Sequence, residues 1–419
     1  MTGIQKLRAE IRFDMVRKPV RQRGFLRPLT WILSFPAVWK RKLKIDKVRM
    51  DGLKPPYLLL CTHHAFMDFK VTTAAIFPHR ANYVVAIDGF IGREWLLRQA
   101  GGICKRKFTN DVQLIRQIRH VLMKQGDILA LYPEARYSLI GTNAVLPESL
   151  GKMAKLLGVP VVVLNMHGNY LQSPCWNLTP RKNRLEADLT QILTPEELKG
   201  ATVSEINTAI NKAFEYDEYR WQKEQGIIID YPKRAEGLHR VLYQCPHCKT
   251  EYRMSSNGAQ IMCNACGKVW EMSTLGELEA VKTATDEKAL ATEFPHIPDW
   301  YEFQREQVRE EVRQGIYHLT CDVTVDALPN ARKYIRLGTA KLTHSMTGFT
   351  LKGNFDGEDF LLEKPVASMY SCHIEYDYFG KGDCIDLSTL DDTYYIYPHG
   401  TDFSVTKIAL ATEELFYSR

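Results

Sequence analysis

Tyr57-Leu58-Leu59-Leu60-Cys61-Thr62-His63-His64-Ala65-Phe66-Met67-Asp68 is an uncharged apolar run that breaks off into ionisable residues. The run Tyr57–Cys61 is too short for a helix and reads as a buried strand. On a regular helix, residues five apart stand about 140° apart, so His63 and Asp68 meet only where the chain turns between a strand end and a helix start. A carboxylate that keeps one imidazole nitrogen protonated leaves the other free to take a proton from an alcohol, which makes the pair a candidate general base. The competing interpretation is a structural pair of histidines at a strand end. His64 stands beside His63, and the spacing to Asp68 is what selects His63.

Working outward, Ala81–Ile87, Asp127–Tyr132 and Val159–Met166 read as further short buried strands, and Asp111–Lys124 and Glu148–Leu157 as helices. Strand and helix in alternation imply an α/β layer fold over residues 51–237. Ser204–Gln222 reads as its last amphipathic helix and Tyr231–Gly237 as a linker. Before this domain, residues 1–50 carry 14 Lys+Arg against 3 Asp+Glu, interleaved with Phe25, Leu29, Trp31, Ile32, Leu33, Phe35 and Trp39. Such a basic amphipathic segment suits an anionic membrane surface; a basic arm packed on its own domain, or one binding nucleic acid, is the alternative. No run approaches the roughly 20 apolar residues of a spanning helix, and no secretory signal is expected. The expected place is cytoplasmic, peripheral on the inner face of the membrane.

Three more segments bear on chemistry. Gly101-Gly102-Ile103-Cys104-Lys105-Arg106 puts a flexible backbone before cations, Leu131-Tyr132-Pro133-Glu134-Ala135-Arg136 puts a Glu and an Arg just past a strand, and Val159-Pro160-Val161-Val162-Val163 is a proline-led strand. In order and spacing, the chain from about residue 40 to 230 resembles the glycerolipid acyltransferases, typified by 1-acylglycerol-3-phosphate acyltransferase. His63 and Asp68 match the family's His-x4-Asp block, Gly101, Ile103 and Arg106 its Gly-x-Ile-x-x-Arg-like block, Pro133 and Glu134 its Phe-Pro-Glu-Gly-Thr-Arg block, and Val159 and Pro160 its Val-Pro strand. Departures fall in the third block: Tyr132 replaces Phe, Ala135 replaces Gly, Arg136 stands at the Thr position and Tyr137 at the Arg position.

The resemblance implies a mixed sheet with flanking helices and acyl transfer to a lipid hydroxyl. His63, oriented by Asp68, would take the proton from the acceptor as it attacks an acyl thioester of coenzyme A or acyl carrier protein. Arg106, and Arg136 if the loop shifts by one residue, would bind the phosphate of a lyso-phospholipid, lysophosphatidic acid foremost, since guanidinium matches phosphate in a bidentate geometry. Lys105 adds positive potential, Gly101 backbone freedom, and Glu134 would hold an arginine or an acceptor hydroxyl. Another acceptor on the same scaffold, amine-bearing or glycolipid, and an inactive lipid-binding adaptor are the alternatives.

Cys245-Pro-His-Cys248 and Cys263-Asn-Ala-Cys266 are separated by 14 residues, a spacing close to that of four-cysteine zinc sites. Residues 238–275 are therefore expected to form a zinc ribbon with a closed, structural site and His247 as a bystander; a redox dithiol is the rival. Ten cysteines in 419 residues suit a reducing compartment. Residues 276–316 read as a linker and a charged helix, Trp300–Gln314. From 317 to 419 come about seven β-rich runs, one of them Val366–Tyr378, and a closing helix, Val405–Tyr417. That count gives a weak resemblance to a pleckstrin-homology-type α+β barrel. The segment 301–419 carries 12 Lys+Arg against 19 Asp+Glu, so it lacks a basic cluster for inositol phosphates; a protein partner, here or at the ribbon, is more in keeping. Nucleic acid is not expected, because no basic stripe develops.

Overall fold

The computed structural model describes residues 2–281 and 291–419. Its first sheet contains β1 (Lys44–Val48), β2 (Leu58–Cys61), β3 (Ala81–Ala86), β4 (Gly102–Lys105), β5 (Ile128–Leu131), β6 (Val161–His167) and β7 (Glu186–Leu193), in the order β1-β7-β6-β2-β5-β3-β4. Strands β6, β2, β5, β3 and β4 are parallel, while β7 and β1 run the other way. The central strands are apolar on both faces because both faces are covered. Leu58 and Leu60 pack with the helices Val112–His120, Ser149–Leu157 and Val203–Ala213, whereas Leu59 and Cys61 pack with Val71 of the helix Met67–Ala75 and Val38 of the helix Arg27–Lys40. Parallel strands bring their carboxyl ends to one edge, where α/β sheets place their ligands. Here that edge carries His63 after β2, Lys107 after β4, Glu134 after β5 and Asn169 after β6.

Four expectations need correction. The α/β sheet starts at Lys44, ahead of the expected boundary at residue 51, and parts of the basic segment before it pack on their own protein, as its alternative reading had it: Ile4 and Leu7 of the helix Gly3–Ala9 enter the core, Phe13 packs edge-on to Phe90, and Arg21 pairs with Asp127 at 2.6 Å. Ser204–Gln222 is two helices, Val203–Ala213 and Glu218–Glu224; the second starts anew because the Asp217 side chain caps it through the Arg220 N–H. Tyr231–Gly237 is a packed seam rather than a linker. Ala235 is fully buried, and a Cβ on Gly237, at φ +95°, would collide with the Trp176 carbonyl. Val366–Tyr378 supplies only a short helical turn, Val366–Ser368, and the strand His373–Glu375.

The cysteine region forms a four-stranded antiparallel sheet, β8 (Met254–Asn257), β9 (Gln260–Cys263), β10 (Val269–Met272) and β11 (Leu278–Ala280), ordered β11-β10-β9-β8. It thus extends past residue 275. Of the segment read as linker and helix, residues 282–290 lie outside the described residues and the helix is Ile297–Arg313. The remaining strands are β12 (His318–Leu328), β13 (Ile335–Ser345), β14 (Gly348–Phe355), β15 (Glu358–Pro365), β16 (His373–Glu375), β17 (Cys384–Ser388) and β18 (Thr393–Pro398), followed by the helix Val405–Tyr417. Their antiparallel order, β15-β14-β13-β12-β18-β17-β16, leaves β15 and β16 as edges, so hydrogen bonds do not close it into a barrel. One apolar core runs through all three regions, from Leu139 and Tyr170 through Trp270 and Trp300 to Val325 and Ile408.

Candidate active site and metal centre

The turn after β2 brings His63 and Asp68 together: His63 Nδ1 lies 3.0 Å from Asp68 Oδ2. The same carboxylate oxygen accepts the backbone N–H groups of His64 at 2.6 Å and Ala65 at 3.0 Å, and Oδ1 accepts Asn169 Nδ2 at 2.7 Å. Asp68 is 1% exposed and Asn169 fully buried, so these donors fix the carboxylate in one orientation. With Nδ1–H directed at Asp68, the lone pair belongs to Nε2. The imidazole is 25% exposed, and the rings of Tyr132 and Tyr137 each lie 4.5 Å from it. His64 is turned into the interior against Tyr216, where burial lowers its pKa and neither ring nitrogen finds a partner among the described residues. It is the base that the spacing rejected.

Glu134 braces the backbone of His63. Its Oε2 accepts the His63 N–H at 2.7 Å, while Oε1 accepts the Ala144 N–H at 2.7 Å and the Tyr216 hydroxyl at 3.1 Å. Burial outweighs these donors and pushes the Glu134 carboxyl up to about 7. In place of the expected arginine or acceptor hydroxyl, Glu134 holds the loop that carries His63. Next to it, Ala135 occupies the left-handed region at φ +57°, the conformation glycine adopts most readily.

The cations expected to meet phosphate behave differently. Arg106, 1% exposed, donates to the carbonyls of Leu328 and Pro329 and to Thr393 Oγ1, all at 2.9 Å. Arg136, 4% exposed, donates to the Cys372 carbonyl at 3.2 Å and to Glu413 at 2.6 Å. Both guanidinium groups anchor the C-terminal region and are withheld from the His63 crevice. Gly101 is at φ +93°, and a Cβ there would press on the Ala81 carbonyl at 3.0 Å, so its role is close strand packing. Lys105 is half-buried, its pKa lowered by burial. Lys107, next to the arginine singled out from sequence, is the cation that stays near the crevice: its Nζ lies 2.8 Å from His373 Nε2 and within 3.6 Å of Asp88 and Asp386.

The four cysteines converge, with their Sγ atoms all within 4.8 Å of one another. The pairs Cys245–Cys266 and Cys248–Cys263 are each 3.8 Å apart, about the edge of a tetrahedron of thiolates around zinc with Zn–S bonds of about 2.3 Å. Each Cys-x-x-Cys turn is followed by a left-handed residue, Lys249 at φ +62° and Gly267 at φ +75°. The set fits a metal ion such as zinc, and four thiolates leave no position for a substrate. His247 faces Glu293 instead, at 3.2 Å.

No protein-family model and no curated protein matches this chain. Among solved structures it is similar to the 1-acyl-sn-glycerophosphate (LPA) acyltransferase PlsC from Thermotoga maritima, with 15% identity over 45% of this chain and 78% of that chain and a TM-score of 0.36. At that level the overlap carries no statement about substrate or mechanism.

Sequence reasoning missed Asn169, Tyr137 and Tyr216. The signal for Asn169 was present: it follows β6 as His63 follows β2 and Glu134 follows β5, a polar residue at the carboxyl end of a parallel strand.

Proposed function

We propose that this protein is an O-acyltransferase that moves a fatty acyl group from a thioester to the hydroxyl of a lipid acceptor at a membrane surface. The observation that carries the reading is the partly exposed imidazole of His63, held by Asp68 with Nε2 free. Nε2 takes the proton of the acceptor hydroxyl while that oxygen attacks the thioester carbonyl. The C–S bond of the tetrahedral intermediate then breaks, and the imidazolium returns its proton to the leaving thiolate. Ester and thiol are the products, and no acyl-enzyme forms. Asp68 stabilises the transient imidazolium, with Asn169 and Glu134 as positioning residues. Bound zinc would serve the ribbon structurally, through Cys245, Cys248, Cys263 and Cys266.

Membrane contact is ascribed to the helix Arg27–Lys40. Leu29, Ile32, Leu33 and Trp39 on it are exposed, together with Phe25 just before it and Phe77 and Phe66 on or beside the elements it packs against. Arg23, Arg27, Lys40 and Lys42 flank this face, the composition of a surface that sits at anionic headgroups. No helix among the described residues is long and apolar enough to cross a membrane. A cytoplasmic protein on the inner leaflet is the corresponding location.

Lysophosphatidic acid is the acceptor that the family resemblance puts first. The burial of Arg106 and Arg136 favours a second acceptor class on the same chemistry, because neither is free to meet a phosphate. An inactive adaptor is disfavoured by the intact His63–Asp68 pair, whose carboxylate is held by three further donors. The test is thiol release from acyl-CoA and from acyl carrier protein thioester, with a panel of lyso-lipids on anionic vesicles. His63→Ala is expected to lower it at least about a hundredfold; equal rates in both proteins would remove the enzyme reading.

A further inference from the structure

Beside His63, on the side of Tyr137, the α/β domain and the C-terminal region enclose a group of ionisable side chains that the chemistry above does not use. Arg136 fixes the place: its hydrogen bond to the Cys372 carbonyl sets the start of β16 against the loop that carries Tyr137, whose ring lies 4.5 Å from His63. From β16 come His373 and Glu375, from β17 Asp386, and from the α/β side Asp88 and Lys107. Lys107 Nζ donates to His373 Nε2 at 2.8 Å and lies 3.4 Å from Asp386 and 3.6 Å from Asp88. Among the described residues of this group Lys107 is the one lysine or arginine, set against the carboxylates of Asp88, Asp386 and Glu375.

Two of those carboxylates are short of partners. Asp386 is 3% exposed, yet its Oδ1 finds no donor among the described residues; its Oδ2 lies 2.9 Å from His373 Nδ1. Glu375 is 27% exposed on its side chain, and His373 Nε2, 3.5 Å away, is turned to Lys107. Burial raises the Glu375 pKa, against the pull of the neighbouring His373 and Lys107. Tyr137, at the His63 side, has its ring 4.5 Å from the imidazole.

We infer that this crevice takes the cationic head of an amine-bearing acceptor lipid, with Glu375, Asp88 and Asp386 as its counter-ions and the acceptor hydroxyl presented to His63. The inference rests on the acyltransferase reading and names its substrate class. An ammonium brings a positive charge and up to three donors to these oxygens. A phosphate dianion would be brought next to an excess of negative charge in a partly desolvated space, where like charges are costly. The guanidinium groups that could offset this are committed elsewhere.

The test uses the full-length protein without acyl donor and three single-chain probes of equal chain length, ending in a primary ammonium, a glycerol or a phosphate, titrated by calorimetry below their micelle concentrations. The net charge of +6 biases adventitious binding toward phosphate, so the expected result runs against the background. The ammonium probe should bind about tenfold or more tighter than the phosphate probe. Glu375→Gln should narrow that gap, and Glu375→Lys should reverse it, each with unchanged thermal unfolding. Phosphate binding as tightly as ammonium, no binding of either, or a preference indifferent to both Glu375 variants would overturn the inference. Acyl transfer to phosphate-headed acceptors in preference to amine-bearing ones would also overturn it while leaving the enzyme reading intact. An ammonium preference that follows Glu375 in a protein without acyl transfer would uphold the crevice and remove the enzyme reading instead.

Discussion

Three loops at the same edge of one sheet treat their ionisable residues in opposite ways. After β2, His63 is held by Asp68 and Glu134 on its inner side and keeps one nitrogen open to the crevice. After β4 and β5, Arg106 and Arg136 are drawn away and closed over by the C-terminal region, down to 1% and 4% exposure. All are polar residues at the carboxyl ends of parallel strands, where chemistry is expected. What separates them is the partner: His63 keeps Nε2 open, whereas the Nη groups of Arg106 and Arg136 donate to the C-terminal region. The C-terminal region is thus fastened to the edge that carries His63 rather than attached beside it.

The sharpest way to break this comparison is to remove an anchor. Glu413 is 1% exposed and is shared by Arg136, Arg305 and Ser371. Arg136→Ala would leave that carboxylate one cation short in the interior and is expected to lower unfolding stability by about 3–5 kcal/mol. Arg106→Ala removes donors from neutral acceptors only, and about 1–3 kcal/mol is expected. Chemical denaturation of both variants checks the order. A stable Arg136→Ala protein that lost affinity for phosphate-headed acceptors would return Arg136 to the substrate site and erase the contrast.

Glu134 offers the next test, because it braces the open loop from the buried side. Its folded pKa of about 7 lies above its ordinary 4.5, so the folded state binds the proton more tightly than the unfolded chain. The stability this group contributes is fully present below pH 4.5 and is lost as pH rises through 7, a component of about 3 kcal/mol. Measured from pH 4.5 to 7.5, the stability of the wild type relative to Glu134→Gln should fall with pH. A flat difference would mean that the three donors around Glu134 keep it ionised throughout.

How much of this was legible in the sequence differs between the same two regions. Leu58–Leu60 and Val161–Val163 announce strands because a central parallel strand is covered on both faces and tolerates no polar alternation. His63–Asp68 was legible because the pair is local, with five residues and one turn between its members. Cys245, Cys248, Cys263 and Cys266 were legible for a similar reason, since two tight turns bring them together. The fate of Arg106 and Arg136 was not, because their acceptors lie 222 and 277 residues further along the chain. Asn169, 101 residues from Asp68, falls between these cases: its position after a strand was visible, its partner was not. The break before Glu218 could have been found from Asp217, a good capping residue inside an apparently continuous helical pattern.

The smallest expected effect concerns the point where the two behaviours divide. Glu134 reaches toward His63 and Arg136 toward Glu413, and the residue between them, Ala135, has φ +57°. A left-handed turn there sends adjacent side chains to different partners, one into the catalytic loop and one into the C-terminal region. For an L-residue with a Cβ that conformation costs about 1–2 kcal/mol. Ala135→Gly removes that cost but adds backbone freedom to the unfolded chain, about 0.4–1 kcal/mol, and gives up the contact of the methyl group with the surrounding core. The balance is a gain of at most about 1 kcal/mol in unfolding stability, with acyl transfer unchanged. A loss instead would show that the methyl contact outweighs the turn, and that packing rather than backbone conformation holds Glu134 and Arg136 apart.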